Sequence, residues 1–198
     1  MQKIRRDIDQ FGNNRPSDAV TVNLLERLAK HINRRPNGRG GFYTAALHCA
    51  NFFLIFGKKY GATPDGRMAG EEFTKNASVR AGSNFNGVTA VINSVLKLDP
   101  SDFMAGFPLD IMLHPSAVAG DDGMAAMRSL MMTYIKRGGH AIHFNVFSSE
   151  KLKDAQLHPE NYSDLQVRVC GWNVLWNNLS PAEQKSYIEQ AKANEEAL

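Results

Sequence analysis

Cysteine is scarce in this sequence, which contains only Cys49 and Cys170 among its 198 residues. Two cysteines cannot form the disulfide framework of a small secreted protein, so we expect a reduced chain in the cytoplasm. Long apolar segments are also absent: the longest run, "FFLIF" at 52–56, is far too short to span a membrane. The opening "MQKIRRDIDQFGNN" lacks the apolar segment of a signal peptide. We therefore expect neither secretion nor a membrane partner.

The sequence also lacks the patterns that mark common catalytic and binding sites. The net charge is only +3, and no aromatic residues alternate with the basic ones to stack nucleobases, which argues against nucleic acid as a partner. None of the six histidines forms a metal-binding pair. His140 and His143 lie in one predicted strand at a spacing that points them to opposite faces. Since GxSxG, P-loop and GxGxxG motifs are absent as well, we expect no metal and no cofactor-binding residues.

The remaining pattern alternates helices with strands and predicts an α/β fold. A length of 198 residues with 43% apolar residues suits one domain, or a large piece of one. Asp18 is the predicted N-cap of the first helix, while Ser180, Pro181 and Glu183 form the start of the last one. Apolar spacing predicts helices at 17–34, 42–57, 86–98, 124–135 and 149–157, and strands at 103–113, 140–147 and 165–169.

The predicted sheet is too small for the number of apolar residues. Only about four strands can be found, and several of them are apolar on both faces. Such a sheet cannot cover itself, and its edges need partners. This imbalance indicates an incomplete fold. Cys49 lies within the apolar stretch predicted as a helix at 42–57, where we expect an inert buried thiol.

The stretch "LQVRVCGWNVLWNN" at 165–178 places a glycine between a strand pattern and a second apolar run. Leu165 to Val169 alternates apolar and polar residues, and Gly171 follows directly after Cys170. Judged by spacing alone, this glycine makes a bend between two strands, because glycine tolerates backbone angles that other residues avoid.

Three stretches carry a resemblance to a known family. They are "GKKYGATPDGR" at 57–67, "GGHAIHFNVFSSEKLKDAQLHPENYSDLQVRVCGW" at 138–172 and "LSPAEQKSYI" at 179–188. From about residue 11 onward, the chain resembles the C-terminal part of glycyl radical enzymes, the family of pyruvate formate-lyase and related dehydratases, decarboxylases and lyases. The resemblance implies the C-terminal portion of a ten-stranded α/β barrel at 1–147, followed by a glycyl radical domain at 148–198.

By this resemblance Gly171 stores a carbon radical, as a modification of the chain. A Cα radical is stabilised when it is planar and conjugated with the amides on both sides, and glycine has no side chain to resist planarity. Arg168 and Val169 precede it in the matched order. Cys170 and Trp172 depart from the family, which usually has a small residue before the glycine and a tyrosine after it. We expect Cys170 to be a packing residue.

Activation is implied by the family as well. A separate activating enzyme, which uses S-adenosylmethionine and an iron-sulfur cluster, removes a hydrogen atom from the glycine. The radical loop must therefore leave its pocket and return. We expect Arg168 and the "HPENY" turn at 158–162 to position this loop. We expect Val169, Val174 and Trp176 to shield the radical from water and oxygen.

The family's catalytic cysteine lies upstream of every matched stretch. The resemblance therefore implies a component that is inactive alone. It would pass its radical to a cysteine on a large partner subunit or on a full-length glycyl radical enzyme. The complex would cleave C–C, C–O or related bonds of a small molecule anaerobically, as a formate acetyltransferase, dehydratase or decarboxylase. A spare part that repairs an oxygen-cleaved enzyme and a non-catalytic fragment remain alternatives.

Asp110 and His143 are the candidates for contact with a substrate, since both lie at predicted strand ends. A structural role is the more common one for such residues, because half of any barrel strand faces outward.

Overall fold

The computed structural model describes residues 9–80 and 86–196. Helices and strands alternate along these residues, as predicted for an α/β chain. Their order is α1 (Asp18–Ile32), α2 (Phe52–Gly57), α3 (Gly87–Val95), β1 (Pro108–Leu113), α4 (Gly120–Lys136), β2 (Ala141–Val146), α5 (Ser149–Leu157), β3 (Gln166–Val169), β4 (Trp172–Leu175) and α6 (Pro181–Glu195).

The start of α6 confirms a prediction made from local chemistry. The hydroxyl of Ser180 accepts a hydrogen bond from the Glu183 N–H at 3.3 Å, and the Glu183 carboxylate accepts one from the Ser180 N–H at 2.9 Å. This reciprocal pair satisfies two backbone donors that the first turn of a helix leaves unbonded. Pro181 occupies the first helical position, where its missing N–H costs nothing.

Only the last part of the predicted helix at 42–57 is helical. The helix begins at Phe52, and residues 42–51 form an irregular segment joined to its neighbours by single β-bridges. An apolar run without clear periodicity is compatible with either a helix or an extended chain, and here the tertiary pairing decides. Cys49 is therefore neither helical nor fully buried, and both expectations for it were wrong.

Two other predicted boundaries are shifted. Asp18 is not the N-cap of α1. Its buried carboxylate instead accepts hydrogen bonds from Ser94 Oγ and Lys97 Nζ, both at 2.7 Å, and so joins α1 to the end of α3. The strand predicted at 103–113 begins only at Pro108, because the chain makes a short 3-10 helix at Pro100–Phe103 and then turns at residues 104–105.

Strand β1 pairs with β2 in parallel, and this sheet lies between two apolar clusters. Leu109 and Ile111 of β1 belong to the first cluster, whereas Met112 belongs to the second. This position explains why β1 is apolar on both faces, as a strand covered on both sides must be. β3 and β4 form a separate antiparallel hairpin. Within the described ranges, the parallel sheet has these two strands only.

The second cluster encloses the hairpin between α5, α6 and β1. Trp176 and Leu152 are completely buried in it, and Tyr187 is nearly so. Its buried members are Met112, Leu152, Ala155, Val167, Trp176, Leu179, Tyr187, Ile188 and Ala191. The hairpin is thus held on a packed base while its turn extends toward β2. None of the helices in the described ranges is both long enough and apolar enough to cross a bilayer.

Glu195 fixes the end of α6 to the start of α5. Its two carboxylate oxygens accept hydrogen bonds from the Ser149 N–H at 2.6 Å and from Ser149 Oγ at 2.7 Å. Burial alone would raise the pKa of Glu195, but these two bonds outweigh it, and the pKa is lowered. A group whose pKa is lowered by folding stabilises the fold above its unfolded pKa. That stabilisation is lost as the pH falls through the folded value.

We expect Glu195→Gln to weaken amide-exchange protection at residues 149–157 by about fivefold near neutral pH, or about 1 kcal/mol. In the native chain this protection should fall on acidification below the ordinary glutamate pKa, and in the variant it should fall less, with the remaining loss due to Asp154 of the same helix, whose pKa is lowered by its hydrogen bonds with Tyr162 and His158. Glu189→Gln is the control, because Glu189 forms only an exposed pair with Lys185 at 3.6 Å. Equal protection in the native chain and the Glu195 variant at neutral pH would contradict this assignment.

Candidate functional site

The turn of the β3–β4 hairpin consists of Cys170 and Gly171 alone. Val169 pairs with Trp172, which leaves a two-residue loop. Both loop residues have positive φ, +46° for Cys170 and +101° for Gly171. Positive φ at both central positions is the requirement of a type I′ hairpin turn, which favours asparagine and glycine. The glycine therefore has a purely conformational reason to be here, in agreement with the bend that its spacing predicts.

The hairpin turn lies against β2 on one side and is open on the other. A Cβ added to Gly171 would lie 3.8 Å from Nε2 of His143, so this imidazole covers the inner side of the glycine. Gly171 is otherwise exposed in this chain. The shielding expected from Val169, Val174 and Trp176 is not found at the glycine, because these side chains pack into the cluster at the base of the hairpin.

Asn145 of β2 holds the hairpin through its backbone. The side-chain amide donates to the carbonyl oxygen of Arg168 at 3.0 Å, and its oxygen accepts from the Arg168 N–H at 2.8 Å. Asn145 is buried, and this pair of bonds resembles one rung of a β-ladder made by a side chain. Asn145 thus fixes the backbone of the hairpin at Arg168, two residues before the turn that contains Cys170 and Gly171. The guanidinium of Arg168 does not take part, since it bonds to Asn173 Oδ1 at the exposed surface.

Asp110 lies under the hairpin at the centre of a polar cluster. It is paired in register with His143, and its Oδ1 accepts from His143 Nδ1 at 3.2 Å. The same oxygen lies 3.6 Å from Nζ of Lys75, and the other accepts from the amide of Asn76. The structure therefore brings the two predicted substrate-contact candidates together. Their side chains are only 6% and 11% exposed, which suits mutual positioning within a buried network.

Lys75 extends this network to the hairpin. Its ammonium donates to the hydroxyl of Tyr187 at 3.3 Å, and that hydroxyl donates to the carbonyl oxygen of Arg168 at 3.0 Å. Burial alone would lower the pKa of Lys75, but Tyr187 and Asp110 outweigh it, and the pKa is raised. Burial raises the pKa of Tyr187. The ammonium and the neutral phenol are therefore the stable forms, and both can donate hydrogen bonds toward the hairpin.

Cys170 is buried beneath the turn, in agreement with its predicted packing role. Its Sγ donates to the carbonyl oxygen of Cys49 at 3.3 Å and lies 3.8 Å from the amide nitrogen of Asn76. Burial raises the pKa of the Cys170 thiol, although the charge of Lys75 opposes this change. Trp172, on the other side of the glycine, is 56% exposed. Cys170 and Trp172, the two residues that depart from the family pattern, therefore lie in opposite environments: Cys170 is buried and Trp172 is exposed.

The "HPENY" turn supports the hairpin from below. It forms a 3-10 turn at Pro159–Tyr162, and the Tyr162 carbonyl accepts from the Leu165 N–H at 3.2 Å. Leu165 in turn accepts from the Trp176 N–H at 2.7 Å, which closes the hairpin at its open end. These contacts suit the positioning role predicted for the turn.

Sequence reasoning missed four residues of this cluster: Lys75, Asn76, Asn145 and Tyr187. A signal existed for Asn145, since Ile142, Phe144 and Val146 occupy one face of the predicted strand and a polar residue alternates with them. No local pattern distinguishes Lys75 or Asn76, because they lie in an irregular segment and meet the hairpin only through the tertiary fold.

We expect Asn145→Ala to loosen the hairpin, because the backbone groups of Arg168 lose their partner in a buried position. The cost should be about 1–3 kcal/mol, seen as amide exchange at residues 166–175 that is faster by roughly tenfold or more. Asn173→Ala is the matched control: it also removes an asparagine bonded to Arg168, but at the surface, and should change exchange little. Equal effects of the two substitutions would show that Asn145 does not anchor the hairpin.

The described ranges contain no group of three or more histidine, cysteine or acidic side chains placed to bind a metal ion. The groups brought together at this site are the hairpin turn, the imidazole of His143 beneath it and the Asp110–Lys75 pair.

Comparison with known proteins identifies the family. A family model described as "Glycine radical" matches residues 73–177, more than half of the chain. Indoleacetate decarboxylase of Tractidigestivibacter scatoligenes is 39% identical over 137 residues, which are 69% of this chain and 16% of that protein. Trans-4-hydroxy-L-proline dehydratase of Clostridioides difficile is 34% identical over 172 residues, 87% of this chain and 22% of that protein.

The structural match is more extensive. The glycerol-bound B12-independent glycerol dehydratase of Clostridium butyricum superposes with a TM-score of 0.89 at 33% identity, over 96% of this chain and 24% of that one. The predicted fold class, a partial α/β barrel of a glycyl radical enzyme, is thereby confirmed. The chain spans a quarter or less of the length of these three proteins. The modification that goes with the family is a radical on a glycine. The chain belongs to the glycyl radical enzyme family, of which it is a C-terminal portion.

Proposed function

We propose that this chain is the radical-bearing component of a glycyl radical enzyme and that Gly171 stores the radical. The observation that carries the proposal is the placement of Gly171 at the tip of a two-residue hairpin turn, inside the part of the chain that matches the family. His143 covers one side of the glycine and the other side is open. A thiol carried by another chain can approach from that open side while the polar cluster holds the hairpin in place.

The radical would be passed to a catalytic cysteine on a partner chain, because neither cysteine of this chain suits that role. Cys170 is buried, and its Sγ is bonded to the Cys49 carbonyl. A thiyl radical must reach both the glycine and a substrate, and a thiol packed under the turn reaches no substrate. Cys49 lies in the same segment that receives Cys170 and packs beneath the hairpin. The partner is therefore a cysteine-bearing large subunit, or a full-length glycyl radical enzyme.

Exposed apolar surface supports the need for such a partner. Val20, Leu24, Leu28 and Ile32 follow one another at intervals of four residues along α1, and each is between 41% and 75% exposed. A row of this kind forms a continuous apolar stripe on a helix. Soluble monomers rarely leave such stripes uncovered, so the stripe favours burial by another chain. β2 also favours a partner chain. It has no strand on its outer side within the described ranges, so the backbone groups of that edge can pair with a strand of another chain.

We further propose a division of the chain at residue 147. The first apolar cluster supports it, because it is built from α1, α3, β1 and α4, whereas the second is built mainly from residues 152–191. Residues 1–147 would then be barrel and residues 148–198 the glycyl radical domain. A repair module needs only the second part. The first part has an apolar cluster of its own and matches the relatives as well, and therefore favours a subunit of a split enzyme over a spare part.

The reaction proposed for the complex is anaerobic cleavage of a C–C, C–O or related bond of a small molecule. The relatives include a decarboxylase and a dehydratase, which support a lyase. The activating partner would be an enzyme that uses S-adenosylmethionine and an iron-sulfur cluster to remove a hydrogen atom from Gly171. To be reached by that enzyme the hairpin has to undock. The bonds made by Asn145 and Tyr187 therefore set the cost of activation.

The test is electron paramagnetic resonance after anaerobic incubation of the chain with its partner, an activating enzyme, S-adenosylmethionine and a reductant. A signal from a glycine-centred radical on this chain is expected. The control is the same activating enzyme acting on a full-length glycyl radical enzyme that it is known to activate. A signal in the control and none on this chain would overturn the proposal.

A further inference from the structure

The only two cysteines of the sequence meet across the surface on which the hairpin turn rests. They are 121 residues apart, yet Cys170 Sγ lies 3.3 Å from the carbonyl oxygen of Cys49 and 3.8 Å from that of Ala50. Asn76 contacts both, since its side-chain oxygen accepts from the Cys49 N–H at 2.8 Å and its amide nitrogen lies 3.8 Å from Cys170 Sγ. Both thiols are free. One belongs to the hairpin turn, and the other to the segment beneath it.

The conformation of Cys170 is a second, independent observation. Its φ of +46° is in the left-handed region, which is costly for a residue with a side chain and is usually occupied in such turns by asparagine or glycine. A cysteine at this position loses the local hydrogen bond that an asparagine side chain can make, and in exchange its sulfur is held against the Cys49 segment. Turn chemistry therefore does not explain the cysteine, whereas a role for its sulfur does.

We propose that Cys49 and Cys170 form a reversible disulfide that locks the hairpin turn in its docked position. The sulfur of Cys170 already contacts the backbone carbonyl of Cys49, so the bond requires the Cys49 side chain to turn toward that sulfur. The consequence for activation rests on the proposed function of Gly171. A locked turn cannot present its glycine to an activating enzyme. Under oxidising conditions the disulfide therefore prevents radical formation, and without the radical the chain is not cleaved by oxygen.

The oxidant is a small-molecule disulfide, and the exchange runs in two balanced steps. The Cys49 thiolate, on the half-buried residue, attacks one sulfur of the small molecule, forms a mixed disulfide and releases one thiol. Cys170 then gives up its proton and attacks the Cys49 sulfur, which releases the second thiol. Two protein thiols are oxidised and one small-molecule disulfide is reduced to two thiols. An excess of the reduced small molecule reverses both steps.

The bond is tested first without any radical. The native chain is incubated with oxidised glutathione and digested with trypsin without reduction. We expect peptide 40–58 to be joined to peptide 169–185, and Cys49→Ser to abolish the joined species. A chain that carries glutathione on Cys49 with Cys170 still free would overturn the proposal, and so would cross-linking that occurs only in denaturant.

The lock is tested by amide exchange and by activation. Exchange in residues 169–185 should be slower by on the order of tenfold in the oxidised native chain than in the oxidised Cys49→Ser chain, and equal rates would contradict the lock. Anaerobic activation should fail for the oxidised native chain, return when it is reduced, and proceed in Cys49→Ser whichever glutathione form is present. Activation of the oxidised, cross-linked chain would overturn the regulatory role. If the reduced chain also shows no radical, the function proposed for Gly171 fails, while cross-linking and exchange still decide whether the lock exists.

Discussion

The radical signal of the activated chain should be a doublet that collapses to a single line when its glycines carry deuterium at the α-carbon. The doublet arises because the unpaired electron on Cα couples to the one hydrogen that remains there. The collapse therefore identifies the residue type without changing the protein. This matters because substitution of Gly171 has two effects at once. With a φ of +101°, any side chain at this position strains the turn in addition to removing the radical site.

Oxygen provides the positional test. When air is admitted to the activated chain, cleavage at Gly171 should release a C-terminal piece of 27 residues, since 198 − 171 = 27. Mass spectrometry identifies this piece directly. The unactivated chain in air is the control and should stay intact, because the cleavage needs the radical. Among the glycines of the matched region, Gly138 and Gly139 are the informative alternatives, and cleavage there would move the radical assignment away from the hairpin.

Gly171→Ala completes the experiment as a pair with Asn145→Ala. The first should abolish both the doublet and the cleavage. The second keeps the glycine but loosens the hairpin, and so should still form the radical. A doublet that survives in Gly171→Ala, or a native chain that stays silent and uncut beside a working activating enzyme, would remove Gly171 from its proposed role.

The sequence predicts those structural elements that depend on neighbouring residues, and it does not determine those that depend on contacts with distant residues. The capping residues Ser180 and Glu183 act within one turn of helix, so their prediction holds to the residue. The segment at 42–51 has no periodicity of its own, and its extended form depends on bridges to distant residues. Asp18 follows the same rule: its side chain has the chemistry of a cap, yet it binds the buried Ser94 and the partly exposed Lys97 instead.

The candidate site shows the same division. The spacing around Gly171 predicts a turn and nothing more, and the structure gives that turn a conformational reason. The radical role came from resemblance alone. Asp110 and His143 are the sequence candidates for contact with a substrate, with a structural role the more common one for such residues, and the structure places them beneath the hairpin. Their true neighbours, Lys75 and Asn76, lie on an irregular segment whose position only the packed fold determines.

Asp110→Asn should be the most destabilising single substitution of the cluster. It removes the charge that compensates Lys75, and both side chains are more than 90% buried. An ammonium left buried without its partner typically costs about 3–5 kcal/mol. Because Lys75 reaches Arg168 through Tyr187, the loss should spread to the hairpin. Amide exchange at residues 108–113 measures the loss of stability in β1, and exchange at residues 166–175 measures its spread to the hairpin.

The pH dependence separates this electrostatic cause from simple loss of packing. In the native chain the pKa of Lys75 is raised, so its contribution to stability is present below the ordinary lysine pKa and is lost as the pH rises above it. Asp110→Asn removes one of the interactions that raise the pKa of Lys75, so this pKa should be lower in the folded variant than in the folded native chain. The folded variant then binds fewer protons at alkaline pH than the folded native chain does. Its stability should therefore fall less steeply with alkaline pH than that of the native chain.

A double-mutant cycle measures the pairing itself. Lys75→Met removes the charge and keeps an apolar stem, so the double variant Lys75→Met, Asp110→Asn should be less destabilised than the sum of the single ones, by about 2 kcal/mol. The control cycle uses Lys185 and Glu189, an exposed pair at 3.6 Å, where the coupling should stay below about 0.5 kcal/mol. Additive effects in the buried pair, or an equal dependence of stability on alkaline pH in the native chain and in Asp110→Asn, would mean that Asp110 supports the hairpin by packing and not by compensating the charge of Lys75.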